Sequence, residues 1–327
     1  MKASGFILRF ILLLVLLVCV SSGALLIGSV RITLSDLFNL FVFNQSTDLI
    51  RQIIFEVRLP RIVLAASVGG GLAVTGAVFQ AILMNPLAEP YILGISSGAS
   101  FGAVLSFVIG VGFWGSQAFA FLGALTVIFL VFLFGKRFGE LDPNVLILSG
   151  VMVGAFFSAV ILILVTMLND SLRTAVFWLM GNLSIADSSV AYYVLPISVI
   201  ISLLLSFNGQ KYNVLSLGNA TAQQLGINTI LLKRLTYLSA SLLVGVLVSV
   251  TGIIGFVGLL IPHVCRLIFG SDNRIIIPSS FFIGGAYLVL ADTIARTIIS
   301  PAEIPAGAIT ACIGAPIFIY LLKLRYR

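Results

Sequence analysis

Residues 208–234 read NGQKYNVLSLGNATAQQLGINTILLKR, and this stretch decides how the rest of the chain is organised. The flanking sequence is mostly apolar. The stretch itself is rich in Asn, Gln, Ser and Thr, and its three charges (Lys211, Lys233, Arg234) are all positive. Unpaired polar groups at this density do not enter hydrocarbon. Leu215, Leu217, Ala220, Ala222, Leu225 and Ile227 nevertheless recur among the polar residues, a pattern too regular for a slack loop. The reading is a pair of short cytosolic helices on which a separate motor protein pushes. The remainder of the chain is then a gate embedded in a membrane.

Composition supports that division. The chain has 327 residues, 60% of them hydrophobic and 9% charged, with a mean hydropathy of +1.21. Soluble domains are about a quarter charged, so the class is polytopic membrane protein, all-α. The 31 glycines suit closely packed membrane helices. A net charge of +7 does not point to nucleic acid, because the basic residues sit at the ends of apolar runs, where they act as anchors in the bilayer. Cys19, Cys265 and Cys312 lie far apart, in or beside apolar runs, and read as free thiols. Lys2 and Arg9 ahead of ILLLVLLVCV imitate a leader peptide; with so many later spans, this run is read as a retained first transmembrane helix.

An apolar run of about 20 residues spans a bilayer. On that rule about ten spans are expected, near 6–28, 60–82, 92–110, 117–135, 144–168, 190–207, 234–252, 256–270, 278–299 and 305–323. Lys and Arg set the orientation. With the N-terminus cytosolic, the inner segments hold Lys2, Arg9, Lys136, Arg137, Lys211, Lys233, Arg234, Arg266, Arg274, Lys323, Arg325 and Arg327, which includes every Lys. The outer side keeps Arg31, Arg51, Arg58, Arg61, Arg173 and Arg296. Both termini are then cytosolic, and so is 208–234.

One part of the chain also repeats. Sliding it by 176 positions pairs Arg58-Leu59 with Arg234-Leu235, Val68-Gly69 with Val244-Gly245, and Val74-Thr75-Gly76 with Val250-Thr251-Gly252. Leu83, Pro86 and Gly94 then fall on Leu259, Pro262 and Gly270. The copies start on opposite sides, so the single transmembrane domain 1–327 is expected to hold an inverted repeat, about 58–168 and 234–323. Such repeats mark transporters, with the path between the halves.

The connections carry further expectations. The outer segment 29–57 has helical spacing and is placed on the membrane surface. The outer segment 169–189 holds Trp178 beside Met180-Gly181 and is read as an amphipathic piece with its Trp at the interface. MNPLAEPYILG (84–94) and GKRFGELDPN (135–144) are Pro-broken cytosolic turns.

A search for chemistry finds no catalytic set. His263 is the one histidine and reads as a hydrogen-bonded residue near the membrane face. No phosphate-binding G-x-x-x-x-G-K-[ST] motif occurs. Paired intramembrane carboxylates, which an ion-coupled carrier would often need, are also lacking. Asp292 is the one acid deep in an expected span, and Arg296 one turn later is its expected i,i+4 partner. The membrane part thus lacks its own energy source, and a polar cytosolic island is the natural place for energy to enter.

The residues as a set resemble the permease subunits of ATP-binding cassette importers for iron–siderophores, haem and cobalamin. The matching motifs are RLPR (58–61), Gly76 and Gln80 through NPLAEP (85–90) to Gly94, and Trp178 with Met180-Gly181. Further matches are LSLGNATAQQLG (215–226), TGIIGFVGLLIPHVCR (251–266), Ala291-Asp292 through Arg296, Glu303, Pro305, Gly307 and GAPIF (314–318). They cover essentially the whole chain.

The resemblance implies ten helices per subunit, a dimer of permeases (here a homodimer), two ATPase subunits that hold the ATP and Mg, and a substrate-binding protein outside. This chain itself would be no enzyme and bind no cofactor or metal. Leu215, Leu217, Gly218, Asn219, Ala220, Thr221, Ala222, Gln223, Gln224, Leu225 and Gly226 match the segment that docks on the ATPase. The family often has an acid after the Gly of LSLG. Here it is Asn219, expected to cap the helix as Asp would but without a salt bridge to the ATPase. Arg58, Arg61 and Arg296 match arginines that receive acidic side chains of the binding protein; the alternative is anchoring or internal pairing, for instance Arg296 with Asp292 or an outer Arg with Glu56. Asn85, Leu87, Asp142, Pro143 and Asn144 are the candidates for the inner gate, with ordinary turn chemistry as the alternative. The cargo expected first is an iron–siderophore, with haem and cobalamin as alternatives. The competing class is an ion-coupled secondary transporter.

Overall fold

The computed structural model describes residues 3–325, except 29, 31, 44–46, 138–139, 169–170, 186–188 and 301. The expected anchors Lys2, Arg31 and Arg327, and Gly139 in the second turn, lie outside the described residues.

The fold is all-α. Helix α1 (Ala3–Leu26) leads to α2 (Leu34–Val42) and α3 (Asp48–Gln52), and a π-helical turn (Ile53–Arg58) joins α3 to α4 (Leu59–Ile82). Then come α5 (Ile95–Ile109), α6 (Phe113–Phe134), α7 (Pro143–Val165), α8 (Leu172–Leu179) and α9 (Val190–Ser206). The polar island forms α10 (Gly209–Leu215) and α11 (Asn219–Gln224). The chain closes with α12 (Thr229–Thr251), α13 (Val257–Phe269), α14 (Asn273–Ala295) and α15 (Ala306–Arg325). Lys136–Arg137 and Glu140–Leu141 pair as a two-stranded hairpin before α7.

Each of the ten expected spans coincides with one apolar helix. Among the described residues six helices are long and apolar enough to cross a bilayer, α9 and α10 add a pair bent by 49°, and three shorter apolar helices remain. The outermost helices present their hydrophobic side chains outward. Leu8, Leu12 and Val15 on α1, and Leu148, Met152 and Phe156 on α7, are all exposed, as lipid-facing positions are.

Helix α4 is the axis. In the most apolar 18 residues of the helical stretch containing it 89% of positions are buried, against 11% in α1. Small residues make this close packing possible. A Cβ on Gly69 would run into the backbone of Gly284 in α14, and one on Gly76 into the backbone of Gly258 in α13. Helix α12 packs antiparallel to α4, with Gly71 beside Leu247 and the rings of Phe79 and Tyr237 6.5 Å apart.

Helices α4–α7 have 24, 15, 22 and 23 residues; α12–α15 have 23, 13, 23 and 20. The shift of 176 lays α4 over α12. Beyond them it lays Leu83 and Pro86, which are not helical, on Leu259 and Pro262 of α13. Those last identities therefore do not pair helix with helix.

Helices α5 and α13 rise only about 22 and 20 Å, short of a hydrocarbon core of about 30 Å. The connections ahead of them make up the difference. Ile82 and Thr251 end antiparallel helices and so lie at opposite ends of that pair. Yet Tyr91, from the connection after Ile82, hydrogen-bonds residue 254, from the connection after Thr251. Its Oη donates to Ile254 O (2.9 Å) and accepts from Ile254 N (3.1 Å). The two connections thus fold back toward each other inside the bundle. Irregular backbone is tolerated there because it is buried in protein: Ala88, Leu93 and Ile254 have no exposed surface. Gln80 of α4 closes the junction, its Nε2 donating to Ala88 O (3.1 Å) and Gly258 O (3.3 Å). The 84–94 segment is therefore a surface turn only in its first half.

Candidate coupling and docking sites

The polar island folds as two short helices fastened to the bundle on one side. Tyr212 of α10 is fully buried and shares a hydrogen bond with Thr236 of α12 (2.9 Å). Asn213 pins α10 to the start of α14. Its Nδ2 donates to Asp272 Oδ1 (2.7 Å) and its Oδ1 accepts from Asn273 N (2.8 Å). Asp272 is itself the N-cap of α14. The Arg274 guanidinium (2.6 Å) and then Asn213 hold its carboxyl well below the usual carboxylate range, at about 2.

The residues expected to contact a motor divide by face. Leu215 and Ala222 are buried and hold the pair against the bundle. Leu217 (67% exposed) and Leu225 (63%) point away, together with Ala220, Gln223, Gln224 and Gly226. Gly218, Asn219 and Thr221 are half-buried. Gly218 turns the chain between the helices at φ +109°, a left-handed conformation that favours glycine. It also occupies the N-cap position of α11. Asn219 is one residue too late to cap: it is the first helical residue, and its buried Oδ1 has no hydrogen-bond partner among the described residues.

Of the gate candidates, Asn85 folds an Asx turn, accepting from Leu87 N at 2.9 Å, and Leu87 is exposed. Asp142 caps α7, accepting from Asn144 N (2.9 Å) and Val145 N (3.1 Å), with Pro143 in the first turn. Asp142 and Glu140 lie within electrostatic reach of Lys233 on α12, which places this turn at the end of the bundle that carries α10 and α11. Among the described residues no hydrogen bond joins the two turns.

The three arginines expected on the outer side are all engaged within the chain. Arg61 of α4 binds Asp292 of α14 at 2.9 Å and Glu303, from the connection to α15, at 2.9 Å. Asp292 is 2% exposed and Glu303 40%. The expected Asp292–Arg296 pair is not what forms: Arg61 takes the carboxylate with three donor contacts. Arg296 instead donates to Ala24 O at 2.5 Å. Arg58 is buried and donates to Leu25 O and Val30 O. In this subunit Arg58 and Arg296 thus staple the end of α1 to the bundle.

Trp178 corrects another expectation. It is 3% exposed, packed inside the protein rather than presented to lipid, and it lies against Gly252. Asn182 N donates to Thr251 O (2.8 Å) and Gly307 N to Gly181 O (2.9 Å). The WLMGN stretch thus ties the end of α12 to the start of α15. His263 is buried and stands edge-on to Phe318 at 5.9 Å.

Sequence reasoning missed the Asn213–Asp272 pin, the Arg61–Asp292–Glu303 cluster and the Tyr91 junction. Asp272 ahead of an apolar run carries an N-cap signal. Nothing local announces the other two, whose partners are 231 and 163 positions away.

Comparison with known proteins agrees with this geometry. Residues 12–324 match the FecCD transport family. The chain is 43% identical over 272 residues to the cobalamin import system permease protein of Halobacterium salinarum, covering 83% of this chain and 73% of that one. It is 34% identical over 317 residues to the hemin transport system permease protein of Yersinia pestis, covering 95% and 93%. A solved inward-facing metal-chelate type ABC transporter superposes with a TM-score of 0.85 at 34% identity, over 95% of this chain and 97% of that one. A ten-helix membrane bundle with a polar helix pair at one end and a match along nearly its whole length has one assignment: the chain belongs to the FecCD transport family and is the permease of an ATP-binding cassette importer.

Proposed function

We propose that this permease moves a bulky iron chelate inward, driven by two copies of a separate ATPase subunit that hold the ATP and Mg. Haem and cobalamin, named for the relatives above, are the alternatives. The observation that carries the reading is the division of the 208–234 stretch into a fastened face and an exposed one. Leu217 and Leu225 offer an apolar contact, while Tyr212 and Asn213 bind the same helices to α12 and α14. A push on the exposed face then moves spanning helices directly.

Helix α14 extends that linkage across the membrane. It starts at the Asp272 pin and reaches the Arg61–Asp292–Glu303 cluster near its far end, a rise of about 30 Å. We place the docking of an outer binding protein at that far end. There Glu303 is the exposed partner of Arg61, so an incoming carboxylate can replace it on the guanidinium fork. The staples Arg58 and Arg296 position α1 beside this surface.

In the same reading both termini are cytosolic, two permease copies pair, and α4–α7 and α12–α15 are inverted repeats. Their matched series of helix lengths supports the repeat. The turns at Asn85 and Leu87 and at Asp142, Pro143 and Asn144 close the inner mouth. Reconstitution tests the whole scheme. Proteoliposomes holding the permease, its ATPase and an iron–siderophore-loaded binding protein should take up iron only with ATP and Mg. Uptake by the permease alone on a proton or sodium gradient would overturn it in favour of a secondary carrier.

A further inference from the structure

We propose that the cleft between α9, α10 and α12 is a binding site for an acidic phospholipid. The cleft holds about 410 Å³, within the range of small-molecule sites. Its walls include Leu204, Leu231 and Leu235, which are 56%, 52% and 56% exposed, with Thr236 and Ser239 beside them. Leu204 and Leu235 lie at the ends of apolar runs read as membrane spans, so the slot opens where those runs enter the bilayer. Its head is polar and cationic, formed by Asn208, Lys211 and Asn228.

The head is suited to a phosphate. One ammonium donor of Lys211 goes to Asn208 Oδ1 at 3.0 Å, and an ammonium has three. Asn228 caps α12, so the positive end of a 23-residue helix faces the same space. No carboxylate lines the cleft among the described residues. An apolar slot below a cationic head, at one end of spanning helices, matches a lipid with a negative headgroup. A soluble partner would have to bring an apolar segment down to Leu204 and Leu235. The site lies at the α10–α11 end, so the cytoplasmic leaflet as its source rests on the orientation proposed above; the site's chemistry does not.

Native mass spectrometry of the purified full-length chain tests the proposal, with phosphatidylglycerol and phosphatidylcholine offered together. Phosphatidylglycerol should be retained preferentially. Lys211→Gln should lower that retention about fivefold, the worth of one basic residue near an anionic lipid. Ser239→Phe, which fills the slot, should lower it as well. Lys323→Gln removes an exposed lysine outside the cleft and should leave retention unchanged, as should millimolar inorganic phosphate.

Equal retention of the two lipids, or an equal loss from Lys211→Gln and Lys323→Gln, would overturn the site. Release of the lipid when the ATPase subunit binds, or when two copies pair, would assign the cleft to a protein partner and also overturn it. A wrong membrane orientation would leave every one of these readings unchanged, so the two failures are distinguishable.

Discussion

Arg61 and Asp292 are 231 positions apart in sequence and meet at 2.9 Å, with side chains only 10% and 2% exposed. Helices α4 and α14 are thereby locked at one end of the bundle. Removing one member of a buried pair strands the other charge and costs about 3–5 kcal/mol. Arg61→Met, which strands the buried Asp292, should therefore lower the thermal unfolding temperature of the purified chain markedly. The apolar double replacement Arg61→Met with Asp292→Leu should recover most of that loss. A double variant no better than the single would show that the pair contributes net attraction.

The Arg61–Glu303 contact should behave differently, because Glu303 is 40% exposed. Exposed ion pairs contribute about 0–1 kcal/mol. Glu303→Gln should leave stability nearly unchanged and free part of Arg61 for the binding protein. Association measured at low salt should then tighten or hold, whereas Arg61→Glu should weaken it.

Leu217 and Leu225 are exposed in this chain, so Leu217→Ser or Leu225→Ser should change its stability by less than about 0.5 kcal/mol. Each should weaken association with the ATPase subunit about tenfold or more, the signature of an interface hot spot. Gly218→Ala has open space for its Cβ but a φ of +109°, a strain of about 1–2 kcal/mol. It should distort the turn between α10 and α11 and weaken the same association. Co-purification of the two subunits measures all three.

Asp272 gives a pH dependence with a definite sign. Its carboxyl is held at about 2, first by Arg274 and also by Asn213, against an ordinary 3.8. The unfolded chain takes up the proton first as pH falls. The contribution of Asp272 is therefore complete above pH of about 4 and is lost between about 4 and about 2. Hydrogen exchange in α10 should accelerate over that window, and Asp272→Asn should remove the dependence.

Tyr91→Phe deletes both hydrogen bonds to residue 254 and leaves its buried N–H and C=O unsatisfied. The expected cost is about 1–3 kcal/mol. Tyr192→Phe, at a residue 74% exposed on α9, should cost nothing measurable in the same thermal assay.

Much of this fold was legible in the sequence because a bilayer imposes one strong rule. Apolar runs of the right length must be helices, and ten such runs became ten helices. The character of the 208–234 stretch was legible for the converse reason, since its polarity excludes it from lipid. Side-chain partners were not legible. Spacing put Asp292 with Arg296 by the i,i+4 rule, but Arg61 sits across the α4–α14 contact, where glycines such as Gly69 and Gly284 bring the backbones together. Asn219 is the residue type that prefers a cap, but Gly218 takes that position because the turn needs a positive φ. The amphipathic segment around Trp178 suggests an interface, but packing of that segment onto residues 251–254 buries the side chain instead.

The Tyr91 junction also has a consequence for biosynthesis. Its partner is encoded 163 residues downstream, which a ribosome at about 5–20 residues per second reaches about 8–30 s later. Through that interval the Tyr91 hydroxyl ahead of α5 lacks the backbone partner that it holds in the finished fold. The N-terminal half of this permease is thus synthesised before the residue that completes it, and a chain ending before residue 254 is expected to hold this segment less firmly.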